Sequence, residues 1–118
     1  MTTQTINAIQ VHDYGDADQL KLEQIPQPEP REGEVLVRLH AAGVNPVDWK
    51  IRSGWMKDFR PMAFPYVPGA DLAGVVAKVG SGVTAWQPGQ EVFGRGSQGT
   101  YAEYALAPAH ALALKPHR

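Results

Sequence analysis

Apolar and polar positions alternate along most of this chain, and glycine or proline breaks the alternation every few residues. Residues 6–12 carry apolar side chains at 6, 9 and 11, an imperfect alternation. Residues 20–25 alternate better, with Leu20 and Leu22 on one face. The turn-forming run 13–18 between them makes the two a predicted hairpin. Pro26, Pro28 and Pro30 then predict a stiff extended connector, since proline fixes φ and donates no hydrogen bond. The clearest strand is 34–44: Val35, Val37 and Leu39 face one side, and Leu36, Arg38 and His40 the other.

The period changes at residue 45. Asn45 is an N-cap type, Pro46 suits the first helical position, and Gly54 closes the segment, so 45–54 predicts a helix of about two turns. A proline-rich loop with aromatic and methionine side chains follows over 55–68. The stretch 68–94 organises the rest. Val75, Val76, Val79 and Val83 form strand, while glycines at 69, 74, 80, 82, 89 and 94 let it bend or let another backbone approach. Trp86-Gln87-Pro88-Gly89-Gln90 has turn chemistry, and Glu91-Val92-Phe93 starts a return strand. Two further strands are expected over 100–107 and 111–114, separated by Pro108. Strands dominate, with one short helix and long loops: a mainly β fold in which the bent strand is the wall of a small barrel.

Composition narrows the function. The 118 residues, 43% of them hydrophobic, suit one domain with a real core. A net charge of −1 favours neither nucleic acid nor anionic membrane as a partner. The apolar runs fall far short of a bilayer span, and the start of the chain has no leader pattern, so the expectation is a cytoplasmic protein. With no cysteine there is neither disulfide nor thiolate metal site, and the four histidines show no ligand spacing.

Four groups of residues bear on chemistry. Gly94-Arg95-Gly96-Ser97-Gln98-Gly99 spells a dinucleotide fingerprint after a strand, but no helix or distant acid follows it, so a glycine-rich connection is the better reading. Asn45, Asp48, Lys50 and Arg52 place an amide, a carboxylate, an amine and a guanidinium on one short helix. Spacing alone favours a capped helix with an Asp48–Arg52 ion pair. Asp71, an acid within an apolar strand, either pairs with Arg52 or Lys50 or points to solvent. Trp55, Phe59, Phe64 and Tyr66 either line an apolar pocket or cover the barrel end.

Taken together, 41–54 (A-A-G-V-N-P-V-D-W-K-I-R-S-G), 64–83 (F-P-Y-V-P-G-A-D-L-A-G-V-V-A-K-V-G-S-G-V), 88–94 (P-G-Q-E-V-F-G) and 99–108 (G-T-Y-A-E-Y-A-L-A-P) resemble the N-terminal GroES-like domain of the medium-chain dehydrogenase/reductase superfamily. The chain resembles most the zinc-free branch of NADPH:quinone oxidoreductases related to zeta-crystallin, from Ile6 onward. The resemblance implies a partly open GroES-like β-barrel over 1–118. Zinc-dependent members carry Cys where this chain has Asn45, and His-Glu where it has Ala70-Asp71, so it implies no zinc. It implies reduction of quinones or α,β-unsaturated carbonyls by hydride from NADPH, with Asn45, Lys50 and Arg52 catalytic. It places Trp55, Phe64 and Tyr66 at the substrate and Asn45, Pro46 and Asp48 at the cofactor. The family often has Tyr where Lys50 stands, and an ammonium there would stabilise a developing enolate or hydroquinone oxygen.

Relatives of this kind continue into a nucleotide-binding domain, which implies a partner domain that holds most of the cofactor. The expectation is an isolated chain without turnover, whose uncovered apolar face favours self-association. Two alternatives remain: a GroES-like binding or scaffolding module without catalysis, and a co-chaperonin, which the aromatic 55–68 loop disfavours.

Overall fold

The computed structural model describes residues 4–58, 60–97 and 99–115. Within them the order is β1 (Thr5–Gln10), β2 (Lys21–Pro26), β3 (Glu34–Ala42), α1 (Pro46–Ser53), β4 (Asp71–Val79), β5 (Glu91–Arg95), β6 (Tyr104–Pro108) and β7 (Leu112–Leu114). Short 3-10 turns precede β2 and β7. β1 and β2 form an antiparallel pair, with Thr5 opposite Pro26. The other strands make one antiparallel sheet in the order β6-β3-β4-β5-β7. That order does not return to its first strand, so the barrel is partly open, and the fold is mainly β as expected.

The hydrophobic core lies on one face of this sheet. Val35 and Val37 of β3, Leu72 and Val76 of β4, Val92 of β5 and Leu112 of β7 are buried together with Ala105 and Ala107. Their alternation along each strand is what a half-buried pleat requires. In β3 the alternation is not clean: Val35, Leu36 and Val37 are all fully buried. The register against β4 shifts between Leu36 and Val37 and again between Leu39 and Ala41, which bends the strand and lets both of its faces find cover. Gly74 sits at this crossing, where a Cβ would run into the Arg38 carbonyl.

Three sequence expectations need correction. Leu22 is 72% exposed, so the Leu20–Leu22 face of β2 is not the packed one. In β1, Ile6 and Ala8 are buried, and Val11 beyond the strand end is buried too, where it bridges to Tyr66; Ile9 is not part of that row. The connection from β4 to β5 is eleven residues with two turns, not one tight turn. Gly89 takes φ +97 in the second turn, and the Trp86 indole N–H ties the connection to the Ala109 carbonyl at 2.8 Å.

The 94–99 glycine motif is a strand-to-strand connection. Gly96 N–H donates to the Ala70 carbonyl at 2.7 Å and Ser97 N–H to the Leu106 carbonyl at 2.8 Å. Gly99 packs so closely on the Val67 carbonyl that no side chain fits there. Beyond it, Ile9 N–H donates to the Tyr101 carbonyl at 2.8 Å and Glu103 N–H to the Asn7 carbonyl at 3.0 Å, stitching β1–β2 onto the larger sheet.

Candidate functional site

Helix α1 is bounded as its sequence dictates. Asn45 is the extended N-cap, Pro46 opens the first turn, and Gly54 ends the helix at φ +86 with its N–H on the Ile51 carbonyl. A non-glycine residue at Gly54 would be strained. Asp48 and Ile51, three apart, are the residues α1 buries.

Asp48 is only 7% exposed, and its Oδ2 accepts two hydrogen bonds. One comes from the Asn45 backbone N–H at 2.9 Å, the reach-back of a capping box. The other comes from the Tyr101 hydroxyl at 2.8 Å. The expected Asp48–Arg52 ion pair does not form; the ion pairs among the described residues are His12–Glu23 and Lys78–Glu29. The carboxylate is taken by donors that approach from the helix start and from the 99–103 segment. Arg52 turns its Nε inward, where it is buried with no hydrogen-bond partner, and the Tyr66 hydroxyl and Thr100 Oγ1 share that condition. Burial, then the Asp48 hydrogen bond and charge, push Tyr101 up to about 12, against the opposing Arg52 charge. Burial also raises the Tyr66 hydroxyl, and the Arg52 charge opposes it.

The Asn45 side chain faces Asp71. Its Nδ2 donates to Asp71 Oδ2 at 3.0 Å, so Asp71 pairs with neither Arg52 nor Lys50. Asp71 is the exposed first residue of β4, a place where a carboxylate keeps its water. Gly43 makes the pairing possible: its N–H donates to the Asp71 carbonyl at 3.1 Å, and a Cβ there would press on Asp71 Cβ at 3.1 Å.

Lys50 is held by aromatic faces. Its Nζ stands 5.9 Å from the Trp49 ring centroid and 5.4 Å from that of Trp55, within cation–π range. The remaining loop aromatics form a separate cluster: Phe64 meets Tyr14 edge-on at 4.9 Å and Tyr66 at 5.7 Å. Phe59 lies outside the described residues.

A cleft of about 250 Å³ opens between α1, the 60–70 loop and the end of β5. Val47, Asp48, Tyr66, Ala70, Arg60 and Arg95 are among its walls. A larger hollow of about 560 Å³ shares Met62, Tyr66, Val67 and Gly99 with it. Of the residues singled out from sequence, Asp48 and Tyr66 line the smaller cleft. Asn45 and Asp71 stand one or two positions along the chain from its walls Val47 and Ala70, and Pro46 is the exposed residue between Asn45 and Val47. Lys50, Arg52, Trp55 and Phe64 line neither hollow. Sequence reasoning missed Tyr101, Arg60 and Arg95. No local pattern ties Tyr101 to Asp48, and Arg95 sat inside a motif rightly set aside as a phosphate loop. Among the described residues no three His, Cys, Asp or Glu side chains converge as a metal site would need.

Comparison with known proteins identifies the fold. Residues 31–117 match the alcohol dehydrogenase GroES-like domain family. The human quinone oxidoreductase is 41% identical over 115 residues, covering 96% of this chain and 34% of the relative, so the chain spans about a third of that protein's length. Mycobacterial Rv1454c, solved in complex with NADPH, superposes with a TM-score of 0.84 at 37% identity over 94% of this chain and 34% of that one. The cobalt- and zinc-bound alcohol dehydrogenase from Pyrobaculum aerophilum gives 0.86 at 28% identity over 98% of this chain and 43% of that one. The chain therefore belongs to the alcohol dehydrogenase GroES-like domain family of the medium-chain dehydrogenases/reductases, with quinone oxidoreductases among its curated relatives.

Proposed function

We propose that this chain is the substrate-binding, catalytic domain of an NADPH-dependent oxidoreductase that reduces quinones or α,β-unsaturated carbonyls without zinc. The observation that carries the reading is the Asn45–Asp71 hydrogen bond at 3.0 Å beside Ala70. A zinc alcohol dehydrogenase needs a thiolate and an imidazole at Asn45 and Ala70. Here an amide and a methyl group stand there, and the adjacent carboxylate is occupied by the amide, a donor set that does not fit the metal. An electron-poor acceptor needs less polarisation than an alcohol, because the charge left by hydride addition delocalises onto oxygen.

The reduced nicotinamide, when bound, supplies the hydride. The exposed residues Val44 and Pro46 offer it an apolar edge beside Asn45. The acceptor occupies the 250 Å³ cleft, with Tyr66 as one wall. Asn45 orients the acceptor oxygen, and Asp71 orients Asn45. Lys50 lies outside both hollows, steadied between Trp49 and Trp55, and is the cation α1 offers a developing oxyanion on an acceptor that extends past the cleft. Arg52 and Asp48 position α1: Asp48 through the Asn45 N–H and Tyr101, Arg52 through its carbonyl on the Gly15 N–H at 2.8 Å. The described strands pair only antiparallel, so the parallel sheet that grips a dinucleotide belongs to a partner domain. The 118-residue chain alone then turns over nothing.

The test is a chimera in which this chain replaces the matching third of the human quinone oxidoreductase. It should oxidise NADPH with a quinone in the presence of a chelator, and Asn45→Ala should lower kcat about a hundredfold, as loss of an oxyanion donor does. Activity that vanishes with the chelator sinks the zinc-free reading. Turnover by the chain alone sinks the need for a partner domain.

A further inference from the structure

We infer that Arg60 and Arg95 make the 250 Å³ cleft selective for an acceptor that carries a carboxylate. This deepens the reading of that cleft as the acceptor site and rests on it. Two exposed arginines line one small cleft from separate segments, Arg60 from the loop after α1 and Arg95 from the end of β5. Neither takes part in an ion pair or donates a side-chain hydrogen bond among the described residues.

Two acids stand near them, and each accepts hydrogen bonds from other groups. Asp48, the one carboxylate in the cleft wall, is nearly buried and accepts from the Asn45 N–H and the Tyr101 hydroxyl. Asp71 stands directly across the β4–β5 pairing from Arg95, and its Oδ2 is taken by the Asn45 amide. Apart from Asp48, whose charge is partly offset by its two hydrogen-bond donors, the described lining carries no acid to repel an anion. A plain hydroquinone or enone has no use for two forked donors. A carboxylate matches them, because a guanidinium binds its two oxygens with parallel, charge-assisted hydrogen bonds. Two exposed arginines on a random surface would be merely solvated, but here they share a concave site.

The probes are para-hydroxybenzoate and para-hydroxybenzamide, redox-inert rings of quinone size and nearly equal shape, one anionic and one neutral. Each is titrated into the 118-residue chain, and binding is read from the backbone amide signals of Gly96 and Ser97. The acid should bind about tenfold more tightly than the amide at low salt, and the ratio should shrink as salt is added. Arg60→Gln and Arg95→Gln together should bring the two probes to the same affinity, with the circular dichroism of the folded chain retained. Equal affinity of the two probes for the unaltered chain overturns the carboxylate selectivity and leaves the acceptor cleft standing. A preference that survives the double substitution overturns the assignment to these arginines. No response to either probe overturns the cleft and the selectivity together.

Discussion

A carboxylate with little solvent is costly unless donors surround it. Asp48 meets that condition with one donor from its own helix start and one from Tyr101, 53 residues away in sequence. Burial first, and this contact after it, shift Tyr101. Its folded pKa, raised to about 12, exceeds the ordinary value of 10, so the fold favours the protonated phenol. The stability this gives is fully present below pH 10 and is lost as pH rises through about 12. Asp48→Asn removes the charge that disfavours tyrosinate, so Tyr101 should titrate closer to 10, seen in the tyrosinate absorbance. The same change should cost about 1 kcal/mol in urea unfolding, the usual worth of a helix cap. An unchanged titration would remove Asp48 as a cause of the shift. At this scale the helix caps were legible in sequence, because Asn45, Pro46 and Gly54 act on their own neighbours. The Tyr101 hydroxyl, the Asn45–Asp71 bond and the missing Asp48–Arg52 pair were not, since each depends on which segment the fold brings alongside. An i,i+4 ion pair is worth only tenths of a kcal/mol and yields to a buried phenol.

Between strands the controlling feature is how closely the backbones pass. β3 and β4 cross at Gly74, where a Cβ would strike the Arg38 carbonyl, and β5 passes the Ala111 carbonyl at Gly94 in the same way. Neither contact can be relieved by turning a side chain, because the obstacle is backbone. Gly74→Ala should therefore destabilise the domain by about 1–3 kcal/mol, the range for overpacking a tight interior. Urea midpoints would show it, and an unchanged midpoint would mean that β3 and β4 are not this close. The glycine spacing of 69–94 carried this information in the sequence, as did the valine pattern of the strands. The sense of β2 did not. Alternation says that Leu20 and Leu22 share a face but not whether that face is covered, and Leu22 at 72% exposure lies on the uncovered one. The bulges in β3 were equally silent, since a register shift depends on the partner strand.

For the molecule as a whole, the informative surface is the one around α1. Val44 is 80% exposed, Trp49 51% and Trp55 69%, all within ten residues of Asn45, and the two indoles flank Lys50. Apolar side chains concentrated at one end of a small domain, beside its candidate site, are what a neighbouring domain covers. Trp86 differs: its indole N–H is bonded to the Ala109 carbonyl on the connection between β4 and β5. The isolated chain should therefore show two tryptophans open to a soluble fluorescence quencher and one shielded. In the chimera with the human nucleotide-binding region, Trp49 and Trp55 should become shielded while Trp86 stays as it was. Single Trp→Phe substitutions assign the signals, and since both exposed indoles leave the core untouched, those variants should unfold within about 0.5 kcal/mol of the parent. Quenching that is identical in chain and chimera would show that the partner domain does not dock on the α1 end, and the nicotinamide would then have no route to Asn45.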